Sequence, residues 1–435
     1  MNLPHSYKVS ILMLMCFSTF AQLKNKPVLE EDFMDMGFGI FVHWSLDSQL
    51  GSVISHSLVG ASEAYVEKYI NALPKTFYPD KFDADEWARL FKISGAEYVV
   101  FTTKHHNGFC MWDTKTTTFN IMNTPYGKDI TGMLFKALRK QGLKVGVYFS
   151  PEDFYFLNKQ GTLISRKREK SQITDNAELL AYDKAQVKEL ITNYGSIDVL
   201  FFDAFKTGPL VQYVHSLDSN IVVTRGEMKT PEQKIPDSAM PGPWETCMTM
   251  GTQWQYKPTN EIYKDGTDLI EKLIEIRAKG GNFLMNVGPK PNGDIPIEQE
   301  ERLREIALWM FVNNEAIKDV RPLPTIIKDG DMWFTKNKDE NTAYVFITKQ
   351  KNWFKGFRRN FLLKNIKATS STAISVLGQN DLVVEYWPEN TPTSRFIQHE
   401  TLLEISISRA QRLYNNKAWP NPIVVKLTNV EFIKK

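Results

Sequence analysis

At 435 residues, with 42% apolar and 24% charged side chains, the chain is long enough for a large core plus a second domain and too apolar to be disordered over most of its length. A net charge of +3 is close to neutral for this size and gives no electrostatic case for a nucleic-acid partner. Ten Trp, sixteen Tyr and twenty-seven Phe supply apolar faces for a ring-shaped ligand, although most of them serve the core.

The N-terminus runs from Lys8 through the apolar stretch Ile11 to Phe20 and reaches Thr19-Phe20-Ala21, the small-x-small pattern that signal peptidase cuts. At about 10 residues the stretch is too short for a permanent membrane anchor. Residues 1–21 are therefore expected to be a cleaved signal peptide, and the mature protein to be secreted or periplasmic with no membrane span. Its removal leaves Cys110 and Cys247, between which one bridge is allowed but not demanded.

Short β-rich runs then alternate with amphipathic helical stretches, the mark of βα units around a parallel sheet. Strands are expected at Gly39 to His43, Tyr98 to Thr103, Val145 to Phe149, Asp198 to Asp203, Ile221 to Thr224 and Asn282 to Asn286. Helix patterns such as Asp85-Trp87-Ala88-Leu90-Phe91 and Ile130-Met133-Leu134-Ala137-Leu138 fall between them, and Ile297 to Asn313 closes the unit. Polar residues cluster at strand ends: His43, Lys104-His105-His106, Ser150, Asp203, Arg225 and Asn286. One-sided clustering of this kind predicts an α/β fold, a (β/α)8-like TIM barrel over residues 22–322 with a single catalytic rim. Arg166 to Lys170 reads as a solvated basic loop. After Pro322-Leu323-Pro324 the pattern changes to strands without long helices, at Met332-Trp333-Phe334, Ala343 to Ile347, Leu402 to Ile407 and Ile423-Val424-Val425. Residues 323–435 are expected to form a C-terminal β-sandwich.

Asp198-Val199-Leu200-Phe201-Phe202-Asp203 carries the chemistry. It is a buried apolar strand that ends on a carboxylate, and an ionised carboxylate loses several kcal/mol on leaving water unless it is paired. Asp203 therefore belongs at the strand's C-terminal rim, facing a site. Pro243-Trp244-Glu245 offers a second carboxylate beside an aromatic wall, and two carboxylates are the minimal equipment for cleaving a glycosidic bond. Asp203 suits the ionised nucleophile, and Glu245 the acid/base that must stay protonated. His43 and the pair His105-His106, all at strand ends, read as ligand-binding; for both members of the pair to face one sugar, their strand must end by Lys104. Tyr148 and Trp254 could pack on the apolar side of a pyranose. Cys247 lacks a base and reads as a small wall residue.

Laid out in order, these segments resemble the α-L-fucosidases of glycoside hydrolase family 29. The resemblance rests on Gly39-Ile40-Phe41-Val42-His43-Trp44-Ser45, on Glu97 to Phe109 with its Lys104-His105-His106 core, on Gly146-Val147-Tyr148-Phe149-Ser150, on Leu200-Phe201-Phe202-Asp203 and on Gly280-Gly281-Asn282 to Pro289. It spans about residues 30 to 320. The resemblance implies a barrel followed by a β-sandwich, and retaining hydrolysis through a covalent glycosyl-enzyme without metal or other cofactor. It further implies Asp203 as nucleophile, Glu245 as acid/base, His43, Glu63, His105, His106 and Tyr148 as sugar-holding residues, and Arg225 and Trp254 at the rim. The expected partner is an α-L-fucosylated or α-L-galactosylated oligosaccharide or glycan. The chain departs from the family pattern at Phe201 and Ala204, where Trp and Gly are usual, at Asn107, where Asp is usual, and in the loop Gly51 to Ala61. Removal of terminal α-L-fucose is thus expected, with an α-L-galactosidase on the same scaffold or a non-hydrolytic sugar-binding relative as alternatives. A metal-dependent hydrolase using His43, His105 and His106 is a further rival, and His43-Trp44-Ser45 does not supply its usual H-x-H pair.

Overall fold

The structure, a computed structural model, describes residues 23–348, 353–410 and 421–433, so the expected signal peptide lies outside the described residues. Helix α1 (Pro27–Met36) precedes a set of parallel strands and helices: β1 (Phe38–Val42), α2 (Glu63–Ala72), α3 (Ala84–Ile93), β2 (Tyr98–Lys104), α4 (Ile130–Lys140), β3 (Lys144–Phe149), α5 (Phe154–Lys159), α6 (Ala177–Asn193), β4 (Val199–Phe202), α7 (Gly208–Leu217), β5 (Val222–Val223), β6 (Glu245–Thr249), α8 (Gly266–Ala278), β7 (Asn282–Val287) and α9 (Ile297–Asn313). The helices begin where the sequence provides caps. Asp83 accepts from the Glu86 amide at the start of α3, Asp129 from the Gly132 amide at α4, and Asp265 from the Asp268 amide at α8. Strands such as β2 are buried along their whole length, as a parallel strand covered on both faces must be.

The sheet order is β5-β4-β3-β2-β1-β7-β6, and every pairing is parallel. All strand C-termini therefore lie at one end of the sheet and all N-termini at the other. Among the described residues there are seven such strands, not eight, and no helix between β5 and β6. The gap is spanned by an irregular segment. The Arg225 carbonyl accepts from the Phe202 amide at 3.2 Å, after which Pro231 accepts from the Cys247 amide at 3.2 Å and Gln233 donates to the Cys247 carbonyl at 2.9 Å. Thr230-Pro231-Glu232-Gln233 thus runs beside β6 where an eighth strand would close the cylinder.

Inside the cylinder lie Phe41, Tyr98, Val100, Tyr148, Val199, Phe201, Val222, Cys247 and Leu284, with Phe33 of α1 plugging the N-terminal end against Tyr98. Gly39 is required here, since a Cβ would meet the Tyr98 ring at 2.4 Å. Buried Arg277 ties the same end together by donating to the carbonyls of Ile317, Gly281 and Met34.

The C-terminal part contains a six-stranded sheet built on β8 (Val320–Pro322), β9 (Lys328–Asp329), β10 (Met332–Asn337), β11 (Ala343–Ile347), β13 (Ile366–Val376) and β16 (Ile423–Phe432), and a three-stranded sheet of β12 (Arg358–Lys364), β14 (Arg395–Gln398) and β15 (Leu402–Ser408). Phe334, Val345, Leu363, Leu403, Ile405 and Val425 share one core between the sheets. Because β8 pairs with β10, this sheet begins just ahead of the expected boundary at residue 323.

Candidate active site

Four adjacent strands deliver the chemistry at their C-terminal ends. β2 stops at Lys104, so His105 and His106 leave the ladder together instead of alternating faces, their ring centroids 4.5 Å apart. The turn is anchored below by Lys104 itself, fully buried with Nζ 2.9 Å from Asp183 Oδ1 and 3.1 Å from Asp153 Oδ2. β1 releases His43, β3 brings Tyr148 inward and is followed by Ser150, and β4 brings Phe201 inward and is followed by Asp203.

Asp203 is the centre of the resulting network. Tyr148 donates its hydroxyl to Oδ2 at 2.8 Å and Arg225 donates Nη1 to Oδ1 at 2.9 Å. His106 Nε2 stands 3.4 Å from Oδ2, and its Nδ1 is 2.5 Å from the Ser150 hydroxyl. Burial alone would raise the Asp203 pKa, but the hydrogen bond and charge of His106, with the charge of Arg225, outweigh it and hold the carboxyl well below the usual carboxylate range. Asp203 is therefore an ionised carboxylate across ordinary working pH. His43 is pushed the other way: burial lowers its pKa to about 3, and its Nδ1 is 2.6 Å from Asn286 Oδ1. Burial also holds His105 well below its ordinary value, and its ring stacks on Tyr148 at 5.0 Å. As neutral imidazoles the two are complementary: His43 Nδ1 donates to Asn286, which leaves Nε2 as an acceptor, and His105 Nδ1 accepts from the His106 amide at 2.9 Å, which leaves Nε2–H as a donor for a sugar hydroxyl.

His43, His105, Tyr148, Asp203 and Arg225 line a cavity of about 330 Å³, together with Phe41, Ser55, Arg166, Phe201, Phe205, Glu232, Cys247 and Trp254, while His106 supports Asp203 from behind. The volume lies at the small end of ligand sites and suits one sugar ring. Of the residues expected at the site, the structure brings together Asp203, His43, His105, His106, Tyr148, Arg225 and Trp254.

Two expected residues are elsewhere. Glu245 is the first residue of β6, at the N-terminal end of a parallel strand, and so points into the barrel beneath the pocket floor formed by Cys247. It is fully buried, accepts from the Tyr98 hydroxyl at 2.8 Å, and its pKa is raised by that burial. It cannot reach a glycosidic oxygen at the rim. Glu63, the first residue of α2, is exposed and borders a separate groove with Leu58, Ile70 and Leu163. Asn107 is also absent from the pocket: it is buried and donates to Ser45, Asp47 and the Tyr69 hydroxyl.

Two residues not foreseen take their places at the rim. Glu232, in the irregular segment that closes the barrel, lies 3.0 Å from Arg225 Nη2, so one guanidinium links both carboxylates. Arg166, from the basic run read as a solvated loop, stands 4.0 Å from Asp203 Oδ1 and pairs with buried Glu152. Cys247 lines the pocket as a free thiol, its pKa raised by burial, and Cys110 is also free and buried. Among the described residues, the group whose possible metal-ligand atoms lie within 4.8 Å of one another is His105, His106 and Asp203, not the three histidines.

Residues 17–315 match the family described as Alpha-L-fucosidase. An alpha-L-fucosidase of Dictyostelium discoideum is 27% identical over 375 residues, covering 76% of this chain and 80% of that protein. Among solved structures, alpha-L-fucosidase isoenzyme 1 from Paenibacillus thiaminolyticus superposes with a TM-score of 0.73 at 26% identity, over 92% of this chain and 99% of that one. A Bacteroides thetaiotaomicron alpha-L-fucosidase, solved as a trapped covalent intermediate with 2-fluoro-fucosyl fluoride, superposes with a TM-score of 0.74 at 23% identity, over 94% and 97% of the two chains, and so shares the fold.

Proposed function

The chain belongs to the α-L-fucosidase family, glycoside hydrolase family 29, and from that premise we propose how its own residues remove terminal α-L-fucose from glycans with retention of configuration. Asp203 attacks the anomeric carbon while Glu232 gives its proton to the departing glycosidic oxygen, leaving fucose esterified to Asp203. Glu232, now a carboxylate, takes a proton from water as the water displaces Asp203, which releases fucose in its original anomeric form. The observation that carries this reading is the Arg225 fork: it holds an ionised carboxylate and a half-exposed one at the same mouth of a pocket sized for one sugar. Retaining pairs stand roughly 5 to 5.5 Å apart, and one guanidinium with two hydrogen bonds spans such a gap.

The apolar wall supports fucose over L-galactose. Phe41, Phe201 and Trp254 line the cavity, and Asn107, the polar residue whose reach would favour a C6 hydroxyl, is engaged elsewhere. Burying an unpaired hydroxyl against such a wall lowers the rate by about tenfold to a hundredfold. The kcat/KM for nitrophenyl α-L-fucoside should exceed that for the α-L-galactoside by this factor. A clear preference for the galactoside would replace the sugar assignment while leaving the two carboxylates in their roles. The apolar N-terminal stretch supports export of the protein to the periplasm or medium, where fucosylated glycans are met.

A further inference from the structure

Phe205 stands at the pocket mouth, two residues past the nucleophile, with 69% of its surface exposed. An exposed ring beside a sugar site offers a face to the C–H groups of a second pyranose. Two cations flank it: the Arg166 guanidinium lies 6.0 Å and the Lys167 ammonium 5.8 Å from the ring centroid. Lys206, exposed, follows it in the chain.

Arg166 is held in place by a built clamp. Its Nε donates to Glu152, which is 1% exposed, while Gln172 donates to the other Glu152 oxygen at 2.9 Å and to the Arg166 carbonyl at 2.5 Å. Among the described residues Nε is the only Arg166 side-chain atom in a hydrogen bond, so the two terminal nitrogens are presented to the mouth with Asp203 4.0 Å away. The Asp203 carboxylate already has Tyr148, Arg225 and His106 as partners, and Glu232, the other acid lining the cavity, is paired with Arg225. Glu152 offsets Arg166, so the uncompensated positive charge at the mouth outside the fucose pocket is that of Lys167 and Lys206, which form no ion pair among the described residues, on a protein whose overall charge is only +3. A neutral leaving sugar gains only single hydrogen bonds to its hydroxyls from such charge. An anionic one gains charge-assisted hydrogen bonds and a higher encounter rate.

We infer that the subsite beyond fucose takes a leaving saccharide bearing an anionic group, a sulfate ester or a carboxylate, seated on Phe205 between Arg166 and Lys167. This rests on the fucosidase reading above. The test compares kcat/KM for α-L-fucosyl disaccharides that differ only in a sulfate, or only in a carboxylate, on the leaving sugar, at low and at high salt, with nitrophenyl α-L-fucoside run alongside. At low salt at least one anionic form should be favoured about tenfold, the preference should shrink as salt rises, and the double variant Lys167→Ala/Lys206→Ala should bring the ratio towards one. The form that is favoured, sulfate or carboxylate, identifies the source of the charge. Neutral disaccharides cleaved as well as both anionic forms, or a preference that survives the double variant, would overturn the inference while the nitrophenyl fucoside is still hydrolysed. Loss of all fucoside turnover would instead overturn the underlying reading and this inference with it.

Discussion

Replacing Asp203 with alanine is expected to lower turnover of nitrophenyl α-L-fucoside on the order of 10⁴-fold or more, the scale of deleting a group that acts directly on the reacting atoms. The fold should survive, because Tyr148 and Arg225 line an open pocket in which water can replace the lost carboxylate. A stability signature should accompany the loss. Asp203 titrates below its ordinary range in the folded chain, so its ionised form contributes stability that is present above the ordinary carboxylate pKa and lost as pH falls through the lowered value. The variant should melt slightly lower at neutral pH and respond less to acid. Azide, small enough to enter the vacated space and attack from the same face, should restore glycosyl transfer and give the inverted glycosyl azide. An Asp203→Ala protein with near-full activity would remove Asp203 from the mechanism.

The second large effect separates Glu232 from Glu245. A proton donor matters in proportion to how poor the leaving group is, and general acid catalysis contributes typically about 10²- to 10⁴-fold. Glu232→Gln should therefore lose that much kcat/KM on natural fucosylated glycans and far less on nitrophenyl fucoside, whose leaving group needs little protonation. Glu245→Gln keeps an acceptor for the Tyr98 hydroxyl and should change the two substrates alike, since its carboxyl lies under the pocket floor. The reverse pattern, with substrate-dependent loss in Glu245→Gln and equal losses in Glu232→Gln, would return the proton donor to Glu245.

The difference between these two glutamates shows what can be read from sequence in a parallel barrel. Tyr98 to Lys104 and Val199 to Phe202 are runs of Val, Phe and Leu that announce buried strands, and residues just past their ends land on the catalytic rim because strand polarity is uniform. Glu245-Thr246-Cys247-Met248-Thr249 lacks such a run, so the strand it forms is hidden, and Glu245 looks like a loop residue near the rim when it is the first residue of a strand at the opposite end. A carboxylate at the start of a strand and one at its end are separated by the length of the barrel. Glu232 sits in Thr230-Pro231-Glu232-Gln233, whose position is set by hydrogen bonds to β6 across the closing gap and by no local periodicity. Arg166 was legible only as a charge; its place depends on Glu152, fourteen residues away and buried. Glu63 lies beyond the Gly51 to Ala61 loop, where the chain departs from the family pattern, and as the first residue of α2 it borders a separate groove while Ser55 of that loop lines the pocket. In the sandwich, β11 is a continuous apolar run, β15 alternates and β16 opens on Ile-Val-Val, whereas β12, β13 and β14 mix in more polar residues and escaped notice.

The nucleophile can be tested most directly by capture. The protein is incubated with 2-deoxy-2-fluoro-L-fucosyl fluoride, whose electron-poor ring slows breakdown of the glycosyl-enzyme, then digested with pepsin and mapped by mass spectrometry. The expected result is one added fluorofucosyl group on the peptide containing Leu200-Phe201-Phe202-Asp203, with fragmentation assigning it to Asp203. A label on Glu232 or Glu245, or rapid turnover to the fluorosugar of inverted configuration with no labelled peptide, would contradict retaining catalysis through Asp203.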